Sequence, residues 1–326
     1  MFSWKKLGNL FNPTLSRPRA WMNEFAQCPT PFVLNDQVLR VYVACRPQRG
    51  TDLQYVSYPG YVDLARADLS RVEGISDRPL MPLGNPGAFD EFGIMPSSVV
   101  RKGDDVCAYY SGWTRMRSVP YTLAIGMAVS HDGGTTFTKV GEGPVVGLSL
   151  NEPYFVTGPV VRLIGEQWHM WYLTGRKWVL DEGKYEPVYQ IARATSIDGI
   201  RWTRDGLPII PTLAEDECQD IFSPFFLGGK WHAIFAWRRP SAAAGDYRLG
   251  YASSEDLDTW FRDDSQVGIG LSETGWDSRM MCYPQVIELD GRVLMFYCGN
   301  DFGREGFGIA ELTAYSEVPR HAGHGR

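Results

Sequence analysis

No apolar run in this 326-residue sequence approaches the ~18 residues that a membrane-spanning helix needs, so no membrane span is expected. The opening segment, Met1-Phe-Ser-Trp-Lys-Lys-Leu-Gly, has neither the apolar stretch nor the small-residue cleavage site of a secretory signal, and the expected compartment is the cytoplasm. Cysteine is sparse: six residues (28, 45, 107, 218, 282 and 298), none in a Cys-x-x-Cys pair, which argues for buried free thiols and against a disulfide framework. Positive charge is not in excess. Lys plus Arg is 32 against 38 Asp plus Glu, a net charge of −6, which argues against a binder of phosphate backbones, and no nucleic-acid partner is expected. There is no Gly-Lys-Ser/Thr phosphate loop, no dinucleotide fingerprint and no Gly-x-Ser-x-Gly elbow, so no cofactor is expected. Of the five histidines, His169 and His232 sit inside apparent strands and His321 and His324 near the C-terminus; no His/Cys/Asp grouping has metal-ligand spacing, and no metal is expected.

Long stretches of helical periodicity are also missing. Short apolar runs bounded by Gly, Asp and Pro take their place, such as Val38-Leu-Arg-Val-Tyr-Val-Ala and Val293-Leu-Met-Phe-Tyr-Cys. Aromatic residues make up 13% of the chain, and 35 Gly and 21 Pro punctuate it. This is the pattern of many short antiparallel strands. The length suits two average domains, but single all-β domains often exceed that average.

One pattern recurs five times: an acidic residue, then seven positions on a small residue or proline, an apolar pair, a turn and an aromatic-rich strand. The copies begin at Glu24 (Pro31-Phe-Val-Leu), Glu91 (Ser98-Val-Val), Glu152 (Pro159-Val-Val), Glu217 (Pro224-Phe-Phe-Leu) and Asp277 (Pro284-Gln-Val-Ile). After each aromatic strand comes a second element, as in Ala124-Ile-Gly-Met-Ala-Val or Arg248-Leu-Gly-Tyr-Ala. In three copies it runs into a turn and an aromatic: Ser130-His-Asp-Gly-Gly-Thr-Thr-Phe137, Ser196-Ile-Asp-Gly-Ile-Arg-Trp202 and Ser254-Glu-Asp-Leu-Asp-Thr-Trp260. Asp-Gly between strands is a hairpin signal. Each repeat supplies about four strands, and four-stranded units repeated radially form a propeller. The sequence therefore predicts an all-β, five-bladed β-propeller over residues 1–314, its first ~20 residues closing the ring, followed by a C-terminal tail over 315–326.

Repeats of this kind resemble the five-bladed glycoside hydrolase superfamily, which includes family 43 arabinosidases and xylosidases, family 32 invertases and family 130 mannoside phosphorylases. A closer likeness, on Phe89-Asp-Glu-Phe-Gly-Ile-Met-Pro-Ser-Ser, Glu152-Pro-Tyr-Phe, Glu215-Asp-Glu-Cys and Gly275-Trp-Asp-Ser-Arg-Met-Met-Cys-Tyr-Pro, is to uncharacterised bacterial family 32-like proteins associated with surface-polysaccharide genes. It covers nearly the whole chain. The resemblance implies a glycosidase-type enzyme acting on a bacterial glycan or activated sugar. The chain departs from the better-known families' motifs. Trp21-Met-Asn-Glu24 is similar to the invertase nucleophile motif but has Glu for Asp and lacks the following Pro-Asn-Gly, and Thr157-Gly-Pro159 stands where family 43 has its acid in Glu-Gly-Pro. Ser130-x-Asp132-x-Gly134-x-x-Phe137 matches a sialidase-type aspartate box, which is a structural turn.

In a propeller the innermost strand of each blade lines the central channel, and the loop leaving the second strand returns to the face where the first begins. Acids ahead of the first strand should therefore ring one mouth, crowned by the residues that follow the second. The candidate catalytic group is Asp90, Glu91, Glu152, Glu217, Asp220 and Asp277, because glycoside hydrolysis needs one protonated and one ionised carboxyl and crowding splits their pKa values. The candidate substrate contacts are Arg46, Trp113, Arg115, Tyr154, Arg176, Arg238, Tyr283 and Asn300. Arginine forks grip carboxylate or phosphate, and aromatic faces stack on sugar C–H surfaces. The expected partner is thus a carbohydrate or other sugar-containing small molecule. The residues leave a second reading open, a catalytically silent propeller that binds a glycan or a partner protein. An acid fixed in every repeat also fits repeat grammar, capping a turn or pairing with an arginine.

Overall fold

The computed structural model describes residues 1–15, 19–50, 54–240 and 246–316. Its strands form five antiparallel sheets of four strands each, one per repeat. The N-terminal strand β1 (Phe2–Phe11) belongs to the last sheet. Blade 1 is β2 (Glu24–Val33), β3 (Val38–Arg46), β4 (Tyr58–Ala65) and β5 (Asp68–Ile75). Blade 2 is β6 (Gly93–Lys102), β7 (Asp105–Arg115), β8 (Tyr121–Ser130) and β9 (Thr138–Lys139). Blade 3 is β10 (Val156–Ile164), β11 (Gln167–Asp181), β12 (Lys184–Ser196) and β13 (Thr203–Pro208). Blade 4 is β14 (Cys218–Leu227), β15 (Lys230–Arg238), β16 (Arg248–Ser254) and β17 (Phe261–Arg262). Blade 5 is β18 (Cys282–Leu289), β19 (Arg292–Cys298) and β20 (Phe307–Tyr315), with β1 as its outermost strand, so the two chain ends are zipped together and close the ring. Helical turns are limited to Asp264–Gln266 and Asn300–Gly303 among the described residues. Residues 317–326, with His321 and His324, lie outside the described residues.

Each blade is covered on both faces by its neighbours, which explains why the strands read as continuous apolar runs and not as alternating ones. Leu39 to Cys45 of β3 are all buried. The core is accordingly a set of seams between blades. Tyr42 meets Phe137 at 5.8 Å between blades 1 and 2, Tyr109 meets Trp168 at 6.2 Å between blades 2 and 3, and Trp171 meets Phe222 at 6.2 Å between blades 3 and 4. One buried charge is paired both within its blade and across the seam. Arg40 grips Asp63 with Nε and Nη2 at 2.7 and 2.8 Å and donates to the Gly134 carbonyl of the next blade at 3.0 Å. All six cysteines are buried and unbridged.

The Ser-x-Asp turns close the outer hairpins as their sequence predicts. Asp132 accepts from the backbone N–H groups of Thr135 (3.0 Å) and Thr136 (2.9 Å); Asp198 accepts from Ile200 and Arg201, both at 2.8 Å; Asp256 accepts from Asp258 (2.9 Å) and Thr259 (2.8 Å). These bonds satisfy turn donors that no strand partner can reach. Tyr42 and Tyr109 then donate across to the turn carbonyls of Gly134 and Gly199 at 2.8 and 2.9 Å, tying each blade to the next.

Candidate functional site in the central cavity

The innermost strands β2, β6, β10, β14 and β18 surround the axis, and each carries a register shift near its start. A bulge turns side chains away from strict alternation and re-aims them. The starts of these strands enclose a cavity of about 340 Å³. Gln27 and Cys28 line it from blade 1, Met95 from blade 2, Thr157 and Gly158 from blade 3, Asp220 and Ile221 from blade 4, and Tyr283 from blade 5. Second strands add Arg46, Ser111, Trp113, Arg115 and Leu173; Tyr55, Tyr121, Phe155 and Tyr189 complete an aromatic wall. The strand ends form a separate, wider opening of about 710 Å³ at the other end of the axis, lined mainly by apolar side chains such as Val33, Val99, Leu163 and Ile287.

Asp220 is the one carboxylate among the described residues that line the central cavity. It is 5% exposed and accepts from the Ile221 N–H at 2.7 Å. Burial pushes its pKa up from the ordinary carboxyl value to about 6, against the opposing pull of the Ile221 N–H, a hydrogen bond from Tyr247 and the charge of Arg238. Tyr247 also shares a hydrogen bond with Tyr189, hydroxyl to hydroxyl. Arg238 is held by Glu186 at 2.8 Å and lies over the Tyr247 ring, 5.4 Å from its centre.

Two cations stand in the cavity lining on the blade 1 and blade 2 side. Arg46 lies over the rings of Phe25 (4.5 Å) and Tyr55 (4.3 Å), and its buried Nε has no hydrogen-bond partner among the described residues. Burial lowers its pKa. Arg115 donates to the Tyr55 carbonyl at 2.9 Å and lies 4.1 Å from the centre of the Phe92 ring. The buried Oε1 of Gln27 likewise has no partner among the described residues. Trp113 reaches the cavity across Gly93, where a Cβ would collide with its indole. The long hairpin β11–β12 buttresses the wall: Trp178 packs on Tyr121 at 5.4 Å and on Phe155 at 5.6 Å. Arg176, expected to follow the second strand, lies within it, in β11.

The repeated acids are placed otherwise than expected. Asp90, Glu152, Glu217 and Asp277 are almost fully buried, none lines the cavity, and each pairs within its own blade with a base on the outermost strand. The pairs are Asp90 with Lys139 of β9, Glu152 with Arg204 of β13, Glu217 with Arg262 of β17, and Asp277 with Lys6 of β1, every one at 2.6 Å. A second-strand tyrosine also donates to three of them: Tyr110 to Asp90 at 3.1 Å, Tyr172 to Glu152 at 2.7 Å and Tyr297 to Asp277 at 2.9 Å. In blade 4 that place is taken by Phe235, over which Arg262 lies at 5.1 Å. In blades 2 to 5 an acid at this place is therefore a latch from the entry of the first strand to the last strand of the same blade. In blade 2 the latch is Asp90. Glu91, which the seven-residue spacing selects, is only half-buried and accepts from the Gly87 N–H at 2.9 Å. Glu24 pairs with the half-exposed Arg304 at 2.8 Å.

Of the expected ligand contacts, Arg46, Trp113, Arg115 and Tyr283 line the cavity together with Asp220. Arg238 stands behind them against Tyr247. Arg176 instead donates to the Gly206 carbonyl at 3.2 Å, Tyr154 is exposed, and Asn300 bonds the backbone N–H groups of Arg279 and Met280 at 2.8 and 3.1 Å. Sequence reasoning missed Gln27, Tyr55, Tyr121, Phe155 and Tyr189. One signal was available. The position four residues before the repeat's small residue is Gln27, Ile94, Phe155, Asp220 and Met280, and three of these five line the cavity. Among the described residues, no group of three or more His, Cys, Asp or Glu could hold a metal ion, and no helix is long and apolar enough to cross a membrane.

No family model matches the chain. Solved structures similar to it include glycoside hydrolases. One described simply as a glycoside hydrolase has a TM-score of 0.73 at 16% identity, over 97% of this chain and 94% of that one. The BT0996–RGII complex gives 0.72 at 17% identity over the same shares, and a thermostable family-43 glycoside hydrolase gives 0.63 at 13% identity, over 92% and 98%. At these identities the likeness establishes the fold alone, a five-bladed propeller. In sequence, the Mycobacterium tuberculosis protein described as "Uncharacterized protein Rv1502" is 32% identical over 312 residues, spanning 95% of this chain and 99% of its own length. The chain belongs to the family of that mycobacterial protein, and its fold is a five-bladed β-propeller.

Proposed function

We propose that the chain is a glycosidase-type enzyme acting on a bacterial glycan or activated sugar that bears an anionic group, with the central cavity as its site and Asp220 as its proton donor. The observation that carries this reading is a carboxyl held near pKa 6 in a cavity whose other side presents Arg46 and Arg115. A proton donor to a leaving oxygen must hold its proton near the working pH. Burial gives Asp220 that property. Arg46, with its unpartnered buried Nε, offers charge-assisted hydrogen bonds to a carboxylate or phosphate on the ligand. Trp113, Tyr55 and Tyr121 supply faces for sugar C–H groups. The cavity volume is at the small end for ligand sites, which suits a short sugar and not a long stretch of polymer.

A second reading, a silent glycan-binding propeller, is favoured by one feature: the described residues of the cavity lining include one carboxylate where glycoside hydrolysis usually employs two. Mass-spectrometric screening of the purified chain against aryl glycosides of sugar acids and polysaccharide fragments separates the two. The enzyme reading expects turnover that declines above pH about 6, and in Asp220→Asn a loss of ~10²-fold or more with binding retained. Full turnover by Asp220→Asn overturns the assignment. Binding of a sugar acid without turnover establishes the silent reading.

A further inference from the structure

A cavity with one carboxylate among its described lining residues needs another group to do what the second carboxylate does elsewhere. Tyr189 is the hydroxyl placed for it. It lines the cavity from β12, stands against the Phe155 ring at 5.9 Å, and shares a hydrogen bond with Tyr247, which in turn hydrogen-bonds the Asp220 carboxyl. Tyr247 is 1% exposed and does not line the cavity, so it connects the two cavity groups from behind. Resting on the glycosidase reading, we infer that Tyr189 is the nucleophile of the reaction, joined to Asp220 by a proton relay through Tyr247.

The steps balance. In the first, a lone pair of Tyr189 Oη forms a bond to the anomeric carbon, and the bond from that carbon to the leaving oxygen breaks with its electron pair staying on oxygen. The leaving oxygen takes the Asp220 proton. The Tyr189 proton passes to Tyr247 as the Tyr247 proton passes to Asp220, which ends the step protonated. In the second, water oxygen attacks the anomeric carbon and the bond to Tyr189 Oη breaks. A water proton goes to Asp220, and the relay returns a proton to Tyr189. The net change is addition of water across the glycosidic bond. Burial raises the Tyr189 phenol well above the usual tyrosine range, so a free phenolate is not stored there, and attack depends on the proton leaving as the bond forms. The same neutrality suits an anionic ligand. A carboxylate nucleophile would repel a sugar acid on approach, whereas a phenol brings no charge, and sialidases, which act on sugar acids, are the known users of a tyrosine nucleophile.

The test uses glycosyl fluorides of uronic and ulosonic acids that carry a second fluorine beside the anomeric carbon. Fluoride leaves without help from an acid, and the second fluorine slows hydrolysis of the adduct. The expected result is a mass increase of one fluorosugar, mapped to the peptide containing Tyr189 and absent in Tyr189→Phe. That variant still binds the free sugar acid but loses at least ~10²-fold in turnover of the aryl glycoside. Tyr247→Phe removes a donor that holds the Asp220 pKa down, so the alkaline fall of its pH–rate profile moves upward, a shift that a merely structural tyrosine does not produce. An adduct on an aspartate or glutamate, inversion of the product anomer, or full turnover by Tyr189→Phe overturns the nucleophile and leaves the glycosidase reading standing. A wild-type chain that turns over none of the aryl glycosides overturns the reading beneath it and the nucleophile with it.

Discussion

Asp220 spends stability on its chemistry. Its folded pKa of about 6 lies above the ordinary 3.8, so between those values the folded chain holds a proton that the unfolded chain has released. Stability from this group is therefore fullest below pH about 4 and declines as pH rises through about 6. A shift of roughly two units corresponds to a ceiling of about 3 kcal/mol. Asp220→Asn, which removes the charge and keeps the shape, is expected to melt higher than wild type at pH 7.5, with the gap closing toward pH 4. Scanning fluorimetry over that range checks it. A variant that melts below wild type at pH 7.5 shows that the carboxylate is not strained by burial. That an acid stands at position 220 was legible in the sequence; that it alone of the candidate acids lines the cavity was not.

At the scale of one blade, the acids that dominate the repeat hold strands together. Glu152 and Glu217 are fully buried against Arg204 and Arg262, and the Cβ of any residue replacing Gly206 would run into the Glu152 side chain. Removing one partner of a buried pair strands the other charge, at a cost of about 3 kcal/mol or more. Glu152→Gln and Glu217→Gln are expected to lower the melting temperature by several degrees while leaving the affinity of the cavity for a sugar acid unchanged. Loss of binding without loss of stability would return these acids to the site. The blade 2 copy shows how the spacing misleads. Counting seven positions back from Ser98 gives Glu91, yet the pair to Lys139 is made by Asp90, because strand entries differ by a residue in how they turn and bulge. Residue spacing counts the chain, whereas burial depends on the path it takes.

For the whole molecule, the ring depends on β1. Phe2 is 1% exposed and packs on Tyr315, His232 and Tyr251 at 4.9, 5.2 and 5.3 Å, and Lys6 completes the blade 5 latch with Asp277. Deleting residues 1–11 leaves β20 with a bare edge and opens a large apolar seam. The expected outcome is aggregation or loss of the cooperative melt, read by size-exclusion chromatography and far-UV circular dichroism. A deletion variant that stays monomeric with an unchanged melt would show that the closure contributes little.

The number of blades and of strands in each was legible because both are set locally. Apolar runs mark strands covered on two faces and recur in all five repeats, and in three of them a Ser-x-Asp turn bonds its own backbone. The latch acids were legible as a pattern but not as a role, since a buried ion pair and a catalytic carboxyl share the same residue types. What only the tertiary structure decided was the cavity, whose lining comes from five blades and depends on where each inner strand bulges. Asp220 stands four residues before Pro224 just as Gln27 stands four before Pro31, but that it shares one cavity with Tyr189, Arg46 and Arg115, which come from three other blades, follows from the closed ring, which no local stretch of sequence encodes.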